Sequence, residues 1–382
     1  MKIAVILGMF SVGPRPLDFH YNNIWESTRG LTGTDLTTVM ISSHLQKRGH
    51  DVYLFTVHAE PNNKPNMWEG VKLYNYNERL KIIDNSFDGI ISINEPDSLR
   101  GLPTKPMRIC WQFLNDFGYC MPGFDDYVDK WLGVCQKQVD YLKAQMPPSE
   151  KWGIVRLGCT PEWYEDKRVP GRVVWCSSAD RGLHWLLQEW PKIKEAVPHA
   201  TLKIFYHFGF DNLFQYDEEK PETIAQCIPE VRQIASELGQ RIRYIKYAIE
   251  NLKEHGVEHI GGISRKQMQK EYSEASVLGF SCDTVSFSEG FSISALEAHA
   301  SSTVPIIADT DCLGEVYKNS GAIIIKNPIK DHLPDFTNAV IKALTDQKFS
   351  NSIIDKCRVF AMQNTWNDIT CEIETVIKNK IK

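Results

Sequence analysis

The segment Ser288–Ala300, SEGFSISALEAHA, sets two carboxylates, Glu289 and Glu297, eight residues apart around the turn Gly290-Phe291. Gly290 and Phe291 open a helix whose first turn directs unbonded N–H groups outward. Eight residues rise ~12 Å along a helix axis, enough to place one carboxylate near each end of a nucleotide diphosphate sugar lying across that terminus. A second glycine-bearing turn, Gly30-Leu31-Thr32-Gly33-Thr34-Asp35, stands directly before a helix predicted over Leu36 to Arg48. Such a turn suits a phosphate or an acceptor oxyanion, and it serves equally as a loop whose Thr or Asp caps the helix. Both readings stand on that fragment alone.

Other patterns carry less. Gly8 and Gly13 are five apart and followed by Pro14 and Pro16, so the G-x-G-x-x-G fingerprint of a dehydrogenase is absent. His58-Ala59-Glu60 spells half a zinc-deaminase signature, but no P-C-x-x-C follows. His299 reads as a packed or surface residue rather than a ligand, and Trp185, Trp190 and Tyr206 fall at core-like spacing.

The elements that must position these residues alternate. Apolar runs at KIAVILGMF, DVYLFTV, VKLYNY, FDGIISI and MRICWQFL are each bounded by Gly, Pro or Asn, and near-continuous apolar strands imply a parallel sheet. A helix is predicted around Tyr127 to Gln145. After the polar stretch Pro161–Gly171 the alternation resumes with RVVWC, a helix over Leu183–Ala196, ATLKIFY, a helix over Pro221–Leu238, HIGGIS, a helix near Lys266–Ala275, SVLGF, a helix over Ile293–Ala300, VPIIAD and AIIIK. Helices at about Asp335–Thr345 and Trp366–Lys378 close the chain. The class is therefore α/β, with two Rossmann-like doubly wound domains, and ligands of such folds sit at the carboxyl ends of the strands.

Composition agrees. The 382 residues suffice for more than one core, and 42% hydrophobic against 24% charged residues excludes global disorder. No apolar stretch approaches the ~20 residues of a membrane span, so no stable membrane insertion is expected. Lys2 followed by IAVILGMFSVG lacks the cleavage site of a signal peptide. Ten cysteines without a C-x-x-C pair fit reduced thiols and a cytoplasmic location. A net charge of −5 spread over both halves excludes a nucleic-acid-binding surface.

The Ser288–Ala300 segment resembles the E-x7-E signature of retaining glycosyltransferases with the GT-B fold, especially glycosyltransferase family four. The likeness runs collinearly through most of the chain: TGTDLTTVMISSHLQKRGHDV resembles the family's Gly-rich loop and first helix, VRLGCTPEWYED its interdomain strand and turn, and CSSADRGLHWLLQEWPKIKEAVPHATLKIFY its first C-terminal βαβ unit. GVEHIGGISRKQM and a final Trp-bearing helix follow in the same order. The resemblance implies an N-terminal acceptor-side domain over 1–168, a nucleotide-sugar-binding domain over 169–362, and a helix over 363–382 that crosses back to the N-terminal domain, with a cleft between the two domains and a linker near 165–172.

It also implies roles. Glu289 matches the residue that contacts the donor sugar, Glu297 the one that binds ribose hydroxyls, and Arg181 the basic residue that holds the diphosphate. Amides of Gly290, Phe291 and Ser292 would meet sugar hydroxyls or phosphate oxygens, Gly33 and Thr34 belong to the N-terminal donor-binding turn, and Ile263 and Ser264 lie where backbone groups read the base. Departures from the pattern are specific: Trp175 and Cys176 stand where a second basic residue is common, leaving Arg265 or Lys266 as candidate cations. Ser302 replaces a glycine, and DTDCLGEV lacks a Gly-Gly. The D-x-D of Asp309-Thr310-Asp311 follows VPIIA in the position of a GT-B loop and implies no metal. In place of a frequent His, WQFLND offers Asn115 and Asp116, of which Asp116 is the candidate acceptor base.

The implied reaction moves a sugar from a nucleoside diphosphate sugar, a UDP-sugar rather than a GDP-sugar, to a hydroxyl of a glycan, a lipid-linked sugar or a protein, with retention and without a cofactor. The alternatives are a GT-B-fold epimerase, which needs additional acid/base carboxylates, a phosphorylase, which needs a longer chain and a pyridoxal lysine, and a non-catalytic nucleotide-sugar-binding module.

Overall fold

The computed structural model describes residues 1–8, 24–26, 30–57, 59, 66–84, 86–118, 120–206 and 229–381. His58, Glu60, Gly13, Pro14, Pro16 and the first part of the helix expected over Pro221–Leu238 lie outside the described residues. The chain divides into two compact units, Met1–Cys159 with Asn364–Lys382, and Thr160–Gln363.

The first unit is built on an eight-stranded sheet of order β3-β4-β2-β1-β5-β6-β7-β8. Its strands are β1 Lys2–Leu7, β2 Asp51–Thr56, β3 Asn66–Trp68, β4 Val71–Asn75, β5 Gly89–Ile93, β6 Met107–Trp111, β7 Lys130–Gly133 and β8 Trp152–Ile154. All neighbours are parallel except β3 and β4. Strands β1 and β5 are buried along nearly their whole length, as a sheet covered on both faces requires. The topological switch point falls between β1 and β5, because the order runs to β2 on one side and to β6 on the other.

The helix expected around Tyr127 to Gln145 is instead strand β7 followed by α2, Gln136–Lys143. Trp131 explains the difference: its indole is fully buried, stacked on Trp152 at 5.3 Å, and its Nε1 donates to Asp125 at 2.6 Å, which ties the Trp-Leu-Gly-Val run into the sheet. Helix α1, Gly33–Lys47, follows β1.

The second unit carries a six-stranded, all-parallel sheet of order β11-β10-β9-β12-β13-β14. These are β9 Arg172–Trp175, β10 Thr201–Phe205, β11 Val257–Gly261, β12 Val277–Phe280, β13 Val304–Ala308 and β14 Ile323–Ile325. The helices around it are α3 Leu183–Ala196, α4 Pro229–Asn251, α5 Arg265–Glu274, α6 Ile293–Ala300, α7 Leu313–Tyr317, α8 Leu333–Thr345 and α9 Gln347–Met362. Helix α9 has no counterpart in the sequence reading, since its Ser, Asn, Asp and Lys residues dilute a stripe in which Ser350, Ile354, Cys357 and Ala361 are buried. The switch point here lies between β9 and β12.

The division falls after Cys159 rather than after residue 168. The backbone N–H groups of Glu165 and Lys167 donate to Ser273, and that of Val169 to the Glu274 carbonyl, so the polar stretch is strapped to the end of α5. The last helix, α10 Trp366–Ile381, belongs to the first unit and packs on α1. Trp366 N–H donates to the Cys159 carbonyl at 3.1 Å, and Gly158 leaves no room for a side chain, because a Cβ there would lie 2.8 Å from Trp366 N.

Glu374 anchors α10. It takes hydrogen bonds from Arg48, from His50 at 2.8 Å and from Lys378 at 3.2 Å. The Arg48 hydrogen bond, opposed by desolvation and helped by His50 and Lys378, pulls the Glu374 carboxyl from 4.5 down to about 2. A depressed folded-state pKa contributes stability that is present above pH ~4.5 and is lost as the pH falls toward 2. Glu374→Gln therefore costs about 2 kcal/mol at pH 7, discounted for the half-exposed Arg48. Urea unfolding at pH 7 and pH 3 checks this: the gap between wild type and variant narrows at the lower pH, and a gap of constant size would contradict the assignment.

Candidate functional site

The loops after β9 and β12 meet at the switch point of the second unit, and they are fastened so tightly that one residue type fits. Gly182, with φ 109°, sits where a Cβ would fall 2.1 Å from the Ser281 carbonyl oxygen and 2.7 Å from Asp283 N. Across that seam Asp283 N–H donates to the Arg181 carbonyl at 2.9 Å, and Ser281 Oγ to the Gly182 carbonyl at 2.9 Å. Arg241, projecting from α4, adds a bond to the Asp180 carbonyl at 3.3 Å, one to the Asp283 carbonyl, and one to Asp283 Oδ2 at 3.0 Å. Trp185 Nε1 donates to the same carboxylate at 2.8 Å. The neighbouring His184 is driven to about 4 by burial and then by the Arg241 charge, so it is neutral at pH 7.

This seam presents Arg181 to Glu289. The Arg181 Nη1 to Glu289 Oε2 distance is 2.6 Å, and the Glu289 side chain is 6% exposed. Desolvation works against the Arg181 charge, but the carboxylates of Glu289 and Asp180 overcome it and raise its pKa, so the guanidinium stays charged. Glu289 is held from the other side by Asp311, whose Oδ2 accepts from Thr284 Oγ1, Ser288 N–H and Glu289 N–H, each at 2.9 Å. Asp311 adopts φ 48°, and its neighbour Asp309 lies against Gly314, where a Cβ would be 1.8 Å from Oδ1. The D-x-D segment thus braces the Glu289 loop.

Beyond Glu289, Gly290 and Phe291 are buried and Ser292 is the N-cap of α6 in a left-handed conformation, φ 64°, accepting from Ala295 N–H at 3.3 Å. Ser294 Oγ donates to the Cys176 carbonyl at 2.5 Å, tying the helix start to the end of β9. Glu297, one helical turn further, is 4% exposed and is gripped by Arg265 through both oxygens, Nη1 to Oε2 at 3.1 Å and Nη2 to Oε1. Arg265 follows Ser264, which caps α5 in a reciprocal box with Gln267, with Ile263 preceding it half-buried. Arg265 is committed to Glu297, and Lys266 is exposed. At the position of a second basic residue the Trp175 indole is fully buried and donates to Ser177, while burial pushes the Cys176 thiol up to about 12. Burial also drives His299 down to about 4, where its neutral ring bridges the Ala295 carbonyl and Ser320 Oγ at 2.7 Å each. It is a packing residue.

In the first unit, Gly33 and Thr34 are the first two residues of α1, positions whose N–H groups have no carbonyl one turn back. Thr32 caps the helix in a box with Asp35, so capping and an outward-facing terminus coexist. Asp116 is exposed, and its Oδ1 accepts from Gly118 N–H at 3.1 Å. Asn115 is buried and accepts from Gln138 Nε2 at 2.9 Å. A carboxylate that the sequence reading passed over, Glu95, stands just past β5 at the switch point, 4% exposed, with its carboxylate packed on Gly8. Its charge adds to the burial that pushes the Tyr76 phenol up to about 12. Among the described residues no His, Cys, Asp and Glu cluster of three or more could hold a metal ion, and no helix is long and apolar enough to cross a membrane.

Residues 236–359 match the family described as Glycosyl transferases group 1. Sucrose-phosphate synthase from Thermosynechococcus elongatus superposes with a TM-score of 0.66 at 12% identity, over 99% of this chain and 98% of that one. The chain has the GT-B fold. The Anabaena protein HepE, crystallised with UDP and glucose, gives 0.65 at 12% identity over 99% and 100% of the two chains. Trehalose 6-phosphate synthase from Burkholderia multivorans gives 0.62 at 11%, over 99% and 98%. No curated protein sequence matches. Within the GT-B frame, the group 1 segment contains Ile263, Ser264, Arg265, Asp311 and the whole of the Ser288–Ala300 stretch, whereas Arg181 precedes it.

The seam at Gly182 gives a direct test of how the site is assembled. Gly182→Ala forces a Cβ against the backbone of Ser281 and Asp283 at a φ that L-residues rarely adopt, and should destabilise the second unit by about 2–4 kcal/mol. A thermal or urea melt indistinguishable from wild type would show that the two loops can separate without cost.

Proposed function

We propose that this protein is a glycosyltransferase that moves a sugar from a nucleoside diphosphate sugar, with UDP-sugars favoured over GDP-sugars, to an acceptor hydroxyl with retention of anomeric configuration. The observation that carries the reading is the Arg181–Glu289 pair, set at the carboxyl ends of β9 and β12 beside the start of α6. A charged guanidinium beside a helix N-terminus suits a diphosphate, and the buried Glu289 suits sugar hydroxyls. The group 1 match over 236–359 and the UDP and glucose found with HepE support the same ligand class.

In this reading Arg181 and the amides of Gly290, Phe291 and Ser292 neutralise charge growing on the departing diphosphate, the largest electrostatic contribution such a site can make. Glu289 orients the donor sugar, Glu297 receives the ribose hydroxyls, and Ile263 and Ser264 border the base. Gly33 and Thr34 offer amides from the first unit. The bond from the anomeric carbon to the diphosphate oxygen lengthens first, through an oxocarbenium-like transition state. The acceptor oxygen then attacks the same face, and its proton passes to the departing phosphate. Asp116, the proposed acceptor-side residue, accepts a hydrogen bond from that hydroxyl and orients it, while the proton itself ends on the phosphate. The acceptor class is a glycan, a lipid-linked sugar or a protein hydroxyl, and the place of action proposed is the cytoplasm.

A second reading has an observation in its favour. The buried Trp175 and the neutral Cys176 thiol leave one cation fewer at the diphosphate, as suits a module that binds a nucleotide sugar without turning it over. Thermal shift against UDP, GDP, ADP and CMP and their sugar conjugates, followed by donor turnover, separates the two. Ligand at 100 Kd stabilises the native state by about 2.7 kcal/mol. Arg181→Ala and Glu289→Ala should each lower turnover ~100-fold or more in folded protein, with the anomeric configuration of the product retained in wild type. Binding without turnover by wild type would leave the binding module, and no shift with any nucleotide would remove both readings.

A further inference from the structure

We propose that Arg265 is a positioning residue that makes the nucleotide site select ribose over deoxyribose, by holding the Glu297 carboxylate in one orientation. The inference rests on the reading of Glu297 as the ribose contact. It assigns to Arg265 a role different from that of a second diphosphate cation.

The pair is buried and held by several contacts. Arg265 and Glu297 are 7% and 6% exposed at their side chains, and the guanidinium fork meets both carboxylate oxygens. Nη2 also donates to Tyr164 Oη at 2.9 Å, and the guanidinium carbon lies 5.4 Å from the centre of the Trp163 ring. A cation whose charge is matched this way has little field to offer a diphosphate, while a carboxylate gripped this way cannot rotate. Without the guanidinium fork, the carboxylate loses the two bonds that fix its plane.

Each Glu297 oxygen retains acceptor capacity after receiving one N–H, so ribose hydroxyls can add to the pair without breaking it. The orientation needed for them exists before the ligand arrives. The Arg265 Nε–H, by contrast, is buried with no hydrogen-bond partner among the described residues. An unmade buried donor is costly, and a ligand or solvent oxygen at this corner of the site would recover it. Because Arg265 directly follows Ser264 at the start of α5, one turn of chain both borders the base and fixes the sugar contact. A site built to bond a hydroxyl rejects the analogue that lacks it far more strongly than an apolar pocket rejects a missing methylene.

The test is the ratio of dissociation constants for 2′-deoxy-UDP, or 3′-deoxy-UDP, and UDP, measured by calorimetry on the full chain; the guanosine pair replaces it if GDP binds and UDP does not. Wild type should discriminate by ~10-fold or more. Arg265→Lys, which keeps the charge and loses the fork, should bring the ratio to within ~3-fold of unity, as should Glu297→Gln. Arg181→Ala should weaken both ligands alike and leave the ratio standing. If Arg265→Lys weakens both nucleotides equally with the ratio intact, Arg265 acts on the diphosphate and the inference is overturned. Equal binding of both sugars by wild type overturns it as well. Absence of binding by every nucleotide in the thermal-shift screen would instead overturn the proposed function, and if only another base binds, its ribose and deoxyribose forms are compared. Should Arg265→Lys fail to fold, Tyr164→Phe removes the hydrogen bond that steadies the guanidinium beside the fork and must lower the ratio part-way; an unmoved ratio there counts against the inference.

Discussion

The seam between the β9 and β12 loops is the constraint on which the second unit depends. Two backbone segments approach until nothing larger than hydrogen fits at Gly182, and four of the bonds at the gap end on main-chain carbonyls: Asp283 to Arg181, Ser281 to Gly182, Arg241 to Asp180 and Asp283. Close approach at a switch point does what a side chain could not. It fixes the direction in which Arg181 leaves its loop, and so brings a guanidinium over a carboxylate more than a hundred residues away in the chain. Asp311 then limits the same carboxylate from behind, by removing the freedom of Ser288 and Glu289 backbone groups. The geometry is rigid because the carbonyls of Asp180, Arg181, Gly182 and Asp283 that accept these bonds belong to the main chain, whose positions the parallel sheet already determines.

Much of this was legible because periodicity and local chemistry coincide. Leu183–Ala196 and Ile293–Ala300 emerge with the predicted limits, since each follows a strand and a turn whose Gly or Ser residues cannot extend it. Glu289 and Glu297 were picked out by their spacing, and Arg181 by the family resemblance. The pairings they make were not. Spacing along a chain reports neighbours on one element, whereas Asp311 reaches Glu289 from the next βα loop and Arg265 reaches Glu297 from the preceding helix. The D-x-D string illustrates the point: it looks like a ligand pair in one dimension and is a loop brace in three. Strand β7 was read as helix because Trp131 and its neighbours carry no alternation to distinguish a buried strand from a buried helix. Arg241 had no local signal at all, lying in the middle of a long polar helix.

Charge balance explains how the site can be both buried and ready. Arg265 faces Glu297, Arg241 faces Asp283 and Glu237, and Arg181 faces Glu289, so each of these three arginines is matched before a ligand arrives. Fully desolvated pairs such as Arg265 with Glu297 are costly to break, because either partner left alone keeps an uncompensated charge in a poor solvent for it. The Arg181–Glu289 pair differs in one respect: Arg181 is 31% exposed while Glu289 is 6% exposed. Its guanidinium can therefore turn toward an incoming anion while staying solvated, at less expense than any other cation in the group. Under the proposed function, a diphosphate that draws Arg181 toward itself frees a Glu289 oxygen at the same moment, and the hydroxyls of the attached sugar are the donors at hand to occupy it. One exchange then satisfies both ends of the donor, and a nucleoside diphosphate without a sugar would satisfy only one. The resting ion pair is thus a reason for the site to distinguish a nucleotide sugar from the nucleotide it leaves behind.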